Sequence, residues 1–279
     1  MTLQQTLAGP FTVEGIGLHT GIEARAVVSP QPENAGLRFR LGASGPEFPA
    51  TTDYVVETRL ATVLGSGGKT VSTVEHILSA LLALGVDNAL VEVEGPEIPI
   101  LDGSSLPFVE AIERAGLRAQ SAAARVMRLE RPHVFRDGEA VLALIPGPAF
   151  RVRMGVDFAP PVGAQAYDAA IAALGYARDV APARTFGYLK DVEALRRAGH
   201  ALGGSLDNAV VFDDEGPLRP LRLPDEVVRH KVLDLIGDFA LLGARPQFEV
   251  LAFKSGHGLH AQAVAALRGE EAGVTVFRA

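Results

Sequence analysis

Cysteine is absent from this chain of 279 residues. Its absence excludes disulfides, thiolate metal sites and a cysteine nucleophile together. Any metal ion held by the protein must therefore be bound by His, Asp or Glu side chains. Lysine is also scarce, with only Lys69, Lys190, Lys231 and Lys254, so each lysine merits individual inspection.

Basic charge and long apolar runs are lacking as well. The formal net charge is −7, with 26 Lys and Arg against 33 Asp and Glu and no block of like charges, so we expect no nucleic-acid partner. The most apolar run, 77–86, is interrupted by Ser79 and falls far short of the ~20 residues that span a bilayer. The first 14 residues lack the basic and apolar parts of a signal peptide. We expect a cytoplasmic protein with no membrane span, working as a monomer.

The residues that are present are those of a folded protein. Hydrophobic residues make up 48% of the chain and charged residues 21%. A domain commonly has ~100–200 residues, so this length predicts two domains or one large one.

The chain repeats one order of predicted elements. Residues 9–30 show the pattern of two strands, and residues 131–146 show it again. His76 opens an apolar-periodic helix that is followed by a strand and a second helix, and His230 opens a matching series. The spacing between matching positions grows from 122 at Pro10 and Pro132 to 154 at the two histidines, so the second copy is longer. Short patterns of this kind also resemble one another by chance, and that alternative stays open.

The repeat predicts an α+β protein. We expect two similar domains, each a β-sheet with helices, packed face to face around one shared cleft. Their predicted limits are residues 1–121 and 125–279, separated near 120–124 by Gln-Ser-Ala-Ala-Ala. The extra residues of the second copy form a predicted β-α-β insert at about 185–216, with a glycine-rich turn at Gly203 and Gly204.

One predicted helix carries His230 and Asp234 at positions i and i+4. This spacing puts both side chains on one face, where they can chelate one ion. The alternative is an exposed pair of opposite charge, or a pair that hydrogen bonds satisfy. Asp238 continues the same face by another turn.

A second predicted helix opens with Ser-Thr-Val-Glu-His at 72–76. Ser72 and Glu75 have the spacing of a capping box, which is one reading of that glutamate. The other reading is catalytic, because a Glu beside a metal-binding His76 is well placed to take a proton from a water molecule.

His257 lies between two glycines at a predicted junction of strand and helix. A loop histidine is commonly just solvated, and a proton-transfer role is the alternative. His260 is close in sequence, but we do not expect the two side chains to converge. The glycine-rich stretch 65–70 lacks the spacing of a phosphate-binding loop and predicts a hairpin turn.

Together these residues suggest a catalytic zinc site. Three ligands with an open fourth position are typical of catalytic zinc. The proposed set is His76, His230 and Asp234 as ligands, Glu75 as base and His257 as a second proton-transfer group.

Six sequence blocks then make the chain recognisable. They are Gly-Ile-Gly-Leu-His-Thr-Gly (15–21), Ser-Thr-Val-Glu-His (72–76), Gly-Pro-Glu-Ile-Pro-Ile-Leu-Asp-Gly-Ser-Ser (95–105), Ala-Arg-Thr-Phe-Gly (183–187), Arg-His-Lys-Val-Leu-Asp-Leu-Ile-Gly-Asp (229–238) and Lys-Ser-Gly-His (254–257). In combination and order they resemble the zinc-dependent UDP-3-O-acyl-N-acetylglucosamine deacetylase family, LpxC. The family removes acetate from the 2-amino group of a UDP-linked acylated glucosamine, the committed step of lipid A biosynthesis.

The resemblance implies a role for each matching residue. Zn²⁺ would be held by His76, His230 and Asp234, with Glu75 activating water. His257 would stabilise the oxyanion and protonate the leaving amine, oriented by Asp238.

Further roles follow from the same resemblance. Thr185 would hydrogen-bond the oxyanion, Lys231 would face the nucleotide sugar, and Phe158 and Phe186 would give apolar contacts to base and sugar. The insert would line a passage for the acyl chain. Two alternatives remain: a zinc amidohydrolase acting on a sugar without a nucleotide, and a metal-free nucleotide-sugar binding protein of the same fold.

Overall fold

The computed structural model describes residues 2–269 and 274–278 of the chain. The first half contains β1 (Leu3–Leu7), β2 (Phe11–Ile16), β3 (Glu23–Pro30), β4 (Leu37–Leu41), β5 (Glu47–Pro49), β6 (Val55–Glu57), β7 (Val63–Ser66), β8 (Lys69–Val71), α1 (Glu75–Ala83), β9 (Ala89–Glu94), α2 (Leu106–Ala115) and β10 (Leu117–Ala123). The second half contains β11 (Arg125–Leu129), β12 (His133–Asp137), β13 (Ala140–Pro146), β14 (Arg151–Asp157), β15 (Ala164–Ala170), α3 (Ala173–Asp179), β16 (Phe186–Tyr188), α4 (Leu189–Arg197), β17 (Val210–Phe212), α5 (Glu226–Phe239), β18 (Arg245–Phe253), α6 (His257–Arg268) and β19 (Val274–Arg278). Short 3-10 helices lie at Thr52–Tyr54 and Ala240–Leu242.

The two halves share one strand order. In the first half the central sheet runs β2-β3-β9-β4-β5, and in the second half the corresponding strands run β12-β13-β18-β14-β15. The fourth strand of each series is parallel to the third, β4 to β9 and β14 to β18, while the other neighbours are antiparallel. Strands β11 and β19 extend the second sheet beyond β18. The predicted α+β class is confirmed, and the repeated order of elements is visible in the pairing.

The segment between the halves is not a loop. Most of the predicted separator, 120–124, belongs to β10, which pairs antiparallel with β1 at the start of the chain. Alanine is depleted in strands, so the Gln-Ser-Ala-Ala-Ala run did not predict one, and the segment is a strand through its pairing with β1. The domain limits 1–121 and 125–279 stay a prediction.

Helices α1 and α5 cross at the centre of the molecule. Nearly every residue of both helices is buried, and one continuous apolar core contains residues from both halves. The crossing is close at Gly237, where an added Cβ atom would lie 2.1 Å from the backbone oxygen of Glu75. Any side chain at Gly237 would therefore push the two helices apart. This contact places the first turn of α1 beside the middle of α5.

The predicted insert is present in outline. Strands β16 and β17 pair in parallel, and α4 lies between them in sequence, so the β-α-β pattern is confirmed. Val162, Val210, Phe212 and Val227 form a small separate apolar core beneath it. The glycine-rich stretch 65–70 is the hairpin β7–β8, whose two-residue turn has positive φ angles at Gly67 and Gly68. None of the helices in the described ranges is long and apolar enough to cross a membrane.

A buried ion pair anchors the loop before β16. The Arg184 guanidinium donates to both carboxylate oxygens of Glu226, at 2.8 and 3.1 Å, and neither side chain is more than 8% exposed. The Arg184 backbone N–H donates to the same carboxylate. Burial raises the pKa of Glu226, but these hydrogen bonds outweigh it and hold that pKa below its usual range.

Replacing Arg184 with methionine is expected to lower the free energy of unfolding by ~3–5 kcal/mol, because it strands a buried carboxylate. The matched variant Arg178→Met, whose ion pair with Asp179 is exposed, should cost under ~1 kcal/mol. Urea unfolding of both variants gives the comparison. In the parent protein the lowered pKa of Glu226 stabilises the fold above its unfolded pKa of 4.5, and this stabilisation is lost as pH falls through the folded pKa. Equal losses of unfolding free energy in Arg184→Met and Arg178→Met would contradict a stabilising role for the buried ion pair.

Candidate active site

Helix α5 supplies two of the candidate metal ligands. His230 and Asp234 lie on one face, and the distance from His230 Nε2 to Asp234 Oδ1 is 3.4 Å. His230 Nδ1–H donates to the Ala183 carbonyl at 3.0 Å, which fixes the ring and leaves the Nε2 lone pair free to bind a cation. Both side chains are buried, so the exposed ion pair considered from the sequence is wrong.

Helix α1 supplies the third candidate metal ligand, His76. His76 Nε2 lies 3.9 Å from Asp234 Oδ1, and the His76 and His230 rings are 5.1 Å apart between centroids. Burial lowers the pKa of His76 to about 3 and also lowers the pKa of His230. Both imidazoles are therefore neutral, which is the form that binds metal.

The three side chains fit one metal ion. Their ligand atoms all lie within 4.8 Å of one another. Zinc bonds of ~2.0–2.1 Å in a tetrahedron put ligand atoms about 3.4 Å apart, close to the observed separations. Two imidazole nitrogens and a carboxylate oxygen are a donor set that suits zinc.

Lys231 forms an ion pair with the other carboxylate oxygen of Asp234. Its Nζ donates to Asp234 Oδ2 at 2.7 Å. Burial raises the pKa of Asp234, but the Lys231 ammonium beside it counters this effect, and that pKa lies well below its usual range. Asp234 is therefore a carboxylate with Oδ1 directed toward the two histidines.

Glu75 is the first residue of α1 and is 3% exposed. Its Oε2 accepts a hydrogen bond from the Thr62 N–H at 3.0 Å. The helix has no side-chain cap, so the capping-box interpretation is wrong: Glu75 is the first residue of the helix, whereas a capping box needs the glutamate at the third helical position. Burial raises the pKa of Glu75 to about 8. A divalent cation bound nearby would favour the carboxylate and lower this pKa.

His257 begins α6 and is 8% exposed, so the solvated loop histidine considered from the sequence is wrong. Its Nδ1–H donates to Asp238 Oδ2 at 2.8 Å. Burial lowers the pKa of His257, but the Asp238 carboxylate outweighs burial and raises that pKa to about 9. The ligand atoms of Glu75, Asp234 and His257 lie within 4.8 Å of one another. An acid and a base thus stand beside the candidate metal site.

His260 converges with His257, contrary to the sequence expectation. Its Nδ1–H donates to the same Asp238 Oδ2 at 2.7 Å, and its Nε2 accepts from the Ser255 hydroxyl. The helix starts at His257, two residues earlier than the start at Leu259 that the pattern predicts, so the two histidines stand at i and i+3 on one face. The Thr62 hydroxyl donates to Asp238 Oδ1. Asp238 is therefore held from three sides.

A cavity of about 460 Å³ contains this cluster. Eight of the ten residues singled out from the sequence line it: Glu75, His76, Thr185, Phe186, His230, Lys231, Asp234 and His257. The other two lie behind its surface. Asp238 contacts His257, and Phe158 packs on Phe186 with ring centroids 5.1 Å apart.

The insert forms an apolar wall of the same cavity. Its lining side chains are mainly apolar: Tyr188, Leu189, Val192, Leu195, Leu206 and Val211, and Leu218 just after the insert adds to them. Leu18 and His19 of the first half also line the cavity, and neither was singled out from the sequence. Their only signal was the Gly-Ile-Gly-Leu-His-Thr-Gly block in which they stand.

Comparison with known proteins agrees with this geometry. A family profile described as UDP-3-O-acyl N-acetylglycosamine deacetylase matches residues 4–268. A UDP-3-O-acyl-N-acetylglucosamine deacetylase of Syntrophotalea carbinolica is 43% identical over 95% of this chain and 87% of its own length. Proteins of the same name are 45% identical in Anaeromyxobacter sp. (92% of this chain, 86% of the relative) and 44% identical in Phenylobacterium zucineum (95% and 92%). The chain therefore belongs to the UDP-3-O-acyl-N-acetylglucosamine deacetylase family, LpxC.

Proposed function

We propose that this protein is a zinc-dependent amidohydrolase that removes acetate from the 2-N-acetyl group of UDP-3-O-acyl-N-acetylglucosamine. In lipid A biosynthesis this is the committed step. The observation that carries the proposal is one cavity that combines a two-histidine, one-carboxylate cluster, a buried acid and base beside it, and an apolar wall. We also propose that the protein works in the cytoplasm as a monomer.

His76, His230 and Asp234 would hold the zinc ion through the two Nε2 atoms and Oδ1. Bound there, zinc would lower the pKa of a water molecule and polarise the acetyl carbonyl. The neutral imidazoles and the ionised Asp234 are already in the protonation states that binding requires. The donor set therefore supports zinc as the cofactor.

Glu75 and His257 would handle the two proton transfers. Glu75 takes a proton from the attacking water as its oxygen bonds to the acetyl carbon. His257, kept protonated by Asp238, gives the Nε2 proton to the amine nitrogen as the C–N bond breaks. The products are acetic acid and the amine; the acid ionises to acetate and its proton is taken up by the amine, while the proton on Glu75 returns to His257, so atoms and charge balance.

Other lining residues would bind the substrate. The Thr185 side chain stands in the cavity and would donate to the developing oxyanion. Lys231 keeps two donors beyond its bond to Asp234 and would face the nucleotide sugar. Phe186 would contact the base or sugar directly, whereas Phe158 would support Phe186 from behind.

The apolar wall would hold the 3-O-acyl chain. Trimming Leu195 to alanine should lower kcat/KM for a long-acyl substrate by about 10-fold, since each buried methylene is worth ~0.8 kcal/mol. Deacetylation of the non-acylated analogue should be nearly unchanged. Leu174→Ala, at a side chain 87% exposed in α3, is the matched control. Equal losses on both substrates, with zinc content intact, would mean that Leu195 supports the site without contacting the chain.

The proposed function is tested by acetate release from the purified protein. Three substrates are compared: the UDP-linked acylated sugar, its non-acylated analogue, and the acylated sugar without UDP. We expect fastest release from the first. Equal rates of acetate release with and without UDP would favour the amidohydrolase that acts on a sugar without a nucleotide. A protein that binds the nucleotide sugar but releases no acetate and holds no stoichiometric zinc would be the metal-free binding protein.

A further inference from the structure

Glu97 is a fully buried glutamate outside the proposed chemistry, at 0% exposure. Its Oε1 accepts from the Thr73 hydroxyl at 2.7 Å and from the His19 N–H at 3.0 Å. Its Oε2 accepts from the Thr20 N–H at 2.9 Å and the Thr20 hydroxyl at 2.8 Å. Hydrogen bonds to an ionised acceptor are stronger than neutral ones. One carboxylate therefore joins two separate chain segments.

The first segment is the turn at residues 17–22, which wraps around the carboxylate. Gly17 leaves room for it, because a Cβ atom there would lie 2.2 Å from Glu97 Oε2. Consecutive N–H groups of His19 and Thr20 point at the carboxylate, an arrangement that suits an anion. The shape of this turn thus depends on Glu97.

The second segment leads into α1. Thr73 has a φ angle of +59°, in the left-handed region that β-branched residues rarely adopt. Its bond to Glu97 offsets this strain, and α1 begins two residues later at Glu75. The direction in which Glu75 and His76 enter the cavity therefore depends on Thr73.

The turn at residues 17–22 also holds the insert. The Gly203 N–H donates to the Leu18 carbonyl at 3.0 Å, and the Leu202 N–H donates to the His19 carbonyl at 3.1 Å. Gly203 has no space for a side chain, since its Cβ would lie 2.2 Å from the Gly17 oxygen. The side chains of Leu18 and His19 line the same cavity as the insert.

We propose that Glu97 is a positioning residue that couples the start of α1 to the wall of the acyl passage. It acts through Thr73 on the orientation of Glu75 and through Thr20 on the placement of Leu18 and His19. The inference rests on the proposed function for its kinetic consequences, but the coupling itself is a property of the fold.

Three near-isosteric variants distinguish the effect that Glu97 exerts through Thr73 from the effect that it exerts through Thr20. Glu97→Gln should lower kcat/KM for the acylated substrate by at least ~10-fold, because an amide places N–H donors against N–H and O–H donors. Thr73→Val should lower kcat with KM nearly unchanged. Thr20→Val should raise KM for the acylated substrate with kcat nearly unchanged. Glu94→Gln, an exposed glutamate near Glu97, is the control and should change neither.

Hydrogen exchange tests the coupling without activity. In Glu97→Gln, residues 17–22 and 72–76 should lose protection together while zinc content stays stoichiometric. Loss in one segment alone, or the same kcat and KM changes in both threonine variants, would overturn the proposal. If Glu97→Gln does not fold, the threonine variants still decide it. A wild-type protein that releases no acetate would contradict the proposed function. The hydrogen-exchange result for Glu97→Gln would still decide the role of Glu97.

Discussion

Glu75→Gln is expected to lose about 10²- to 10⁴-fold in turnover, the range that a general base contributes, while it keeps zinc and the fold. Glutamine has the shape of glutamate and can still accept the Thr62 N–H, but it cannot take a proton from water. The change removes a buried carboxyl group whose partner is one backbone amide, so little stability should be lost. Steady-state acetate release, zinc content by elemental analysis and thermal unfolding are the three measurements.

The control for this substitution is Glu110→Gln, at an exposed glutamate of α2. It should match the parent protein in all three measurements. If Glu75→Gln were nearly fully active, another group would be the base and Glu75 would serve only to position Thr62. If it lost zinc together with turnover, Glu75 would be contributing to metal binding.

Local pattern was enough to predict much of this fold. The second helix predicted after the one that His76 opens is α2, and the strand, helix and strand of the insert occur in the expected order. These elements are specified by periodicity within a few turns, and glycines mark their ends. The pair His230 and Asp234 was equally readable, because the i,i+4 geometry of a helix is independent of what surrounds it.

Contacts between segments far apart in the chain could not be predicted from the local sequence pattern. Asp238 is held by Thr62, 176 positions away, and Glu97 holds residues 77 and 78 positions earlier in the chain. No local period encodes which carboxylate a buried N–H will meet. Burial was also underestimated, since polar residues inside a protein are tolerated only when partners satisfy them, and those partners appear only in the fold.

Helix starts caused the most specific errors. The pattern placed the start of α6 after His257, and the structure places it at His257. That shift of two residues moves His257 from a loop to a helix face and brings His260 alongside it. Helix ends depend on backbone angles at one or two residues, and here the capping residues make no side-chain bond that a sequence motif could reveal.

His230→Ala is expected to lose zinc and activity together, in contrast to Glu75→Gln. Removing a direct ligand should weaken zinc binding by more than the ~10- to 100-fold that loss of a ligand-orienting partner costs. Asp234 and His76 would remain, but two donors hold the ion far less firmly than three. Chelator competition gives the affinity, and the unfolding midpoint gives an independent readout, because zinc stabilises only a fold that binds it.

The comparison that decides this assignment uses His200→Ala, a histidine outside the ligand cluster whose ring contacts Arg59 and His19. Zinc should raise the unfolding midpoint of the parent protein and of His200→Ala, but not that of His230→Ala. Since His230 Nδ1–H also donates to Ala183, His230→Ala without zinc should still resemble the zinc-free parent protein in its circular dichroism. Stoichiometric zinc in His230→Ala at parental affinity would show that the ion binds elsewhere, and would remove the basis for Glu75 and His257 as its catalytic partners.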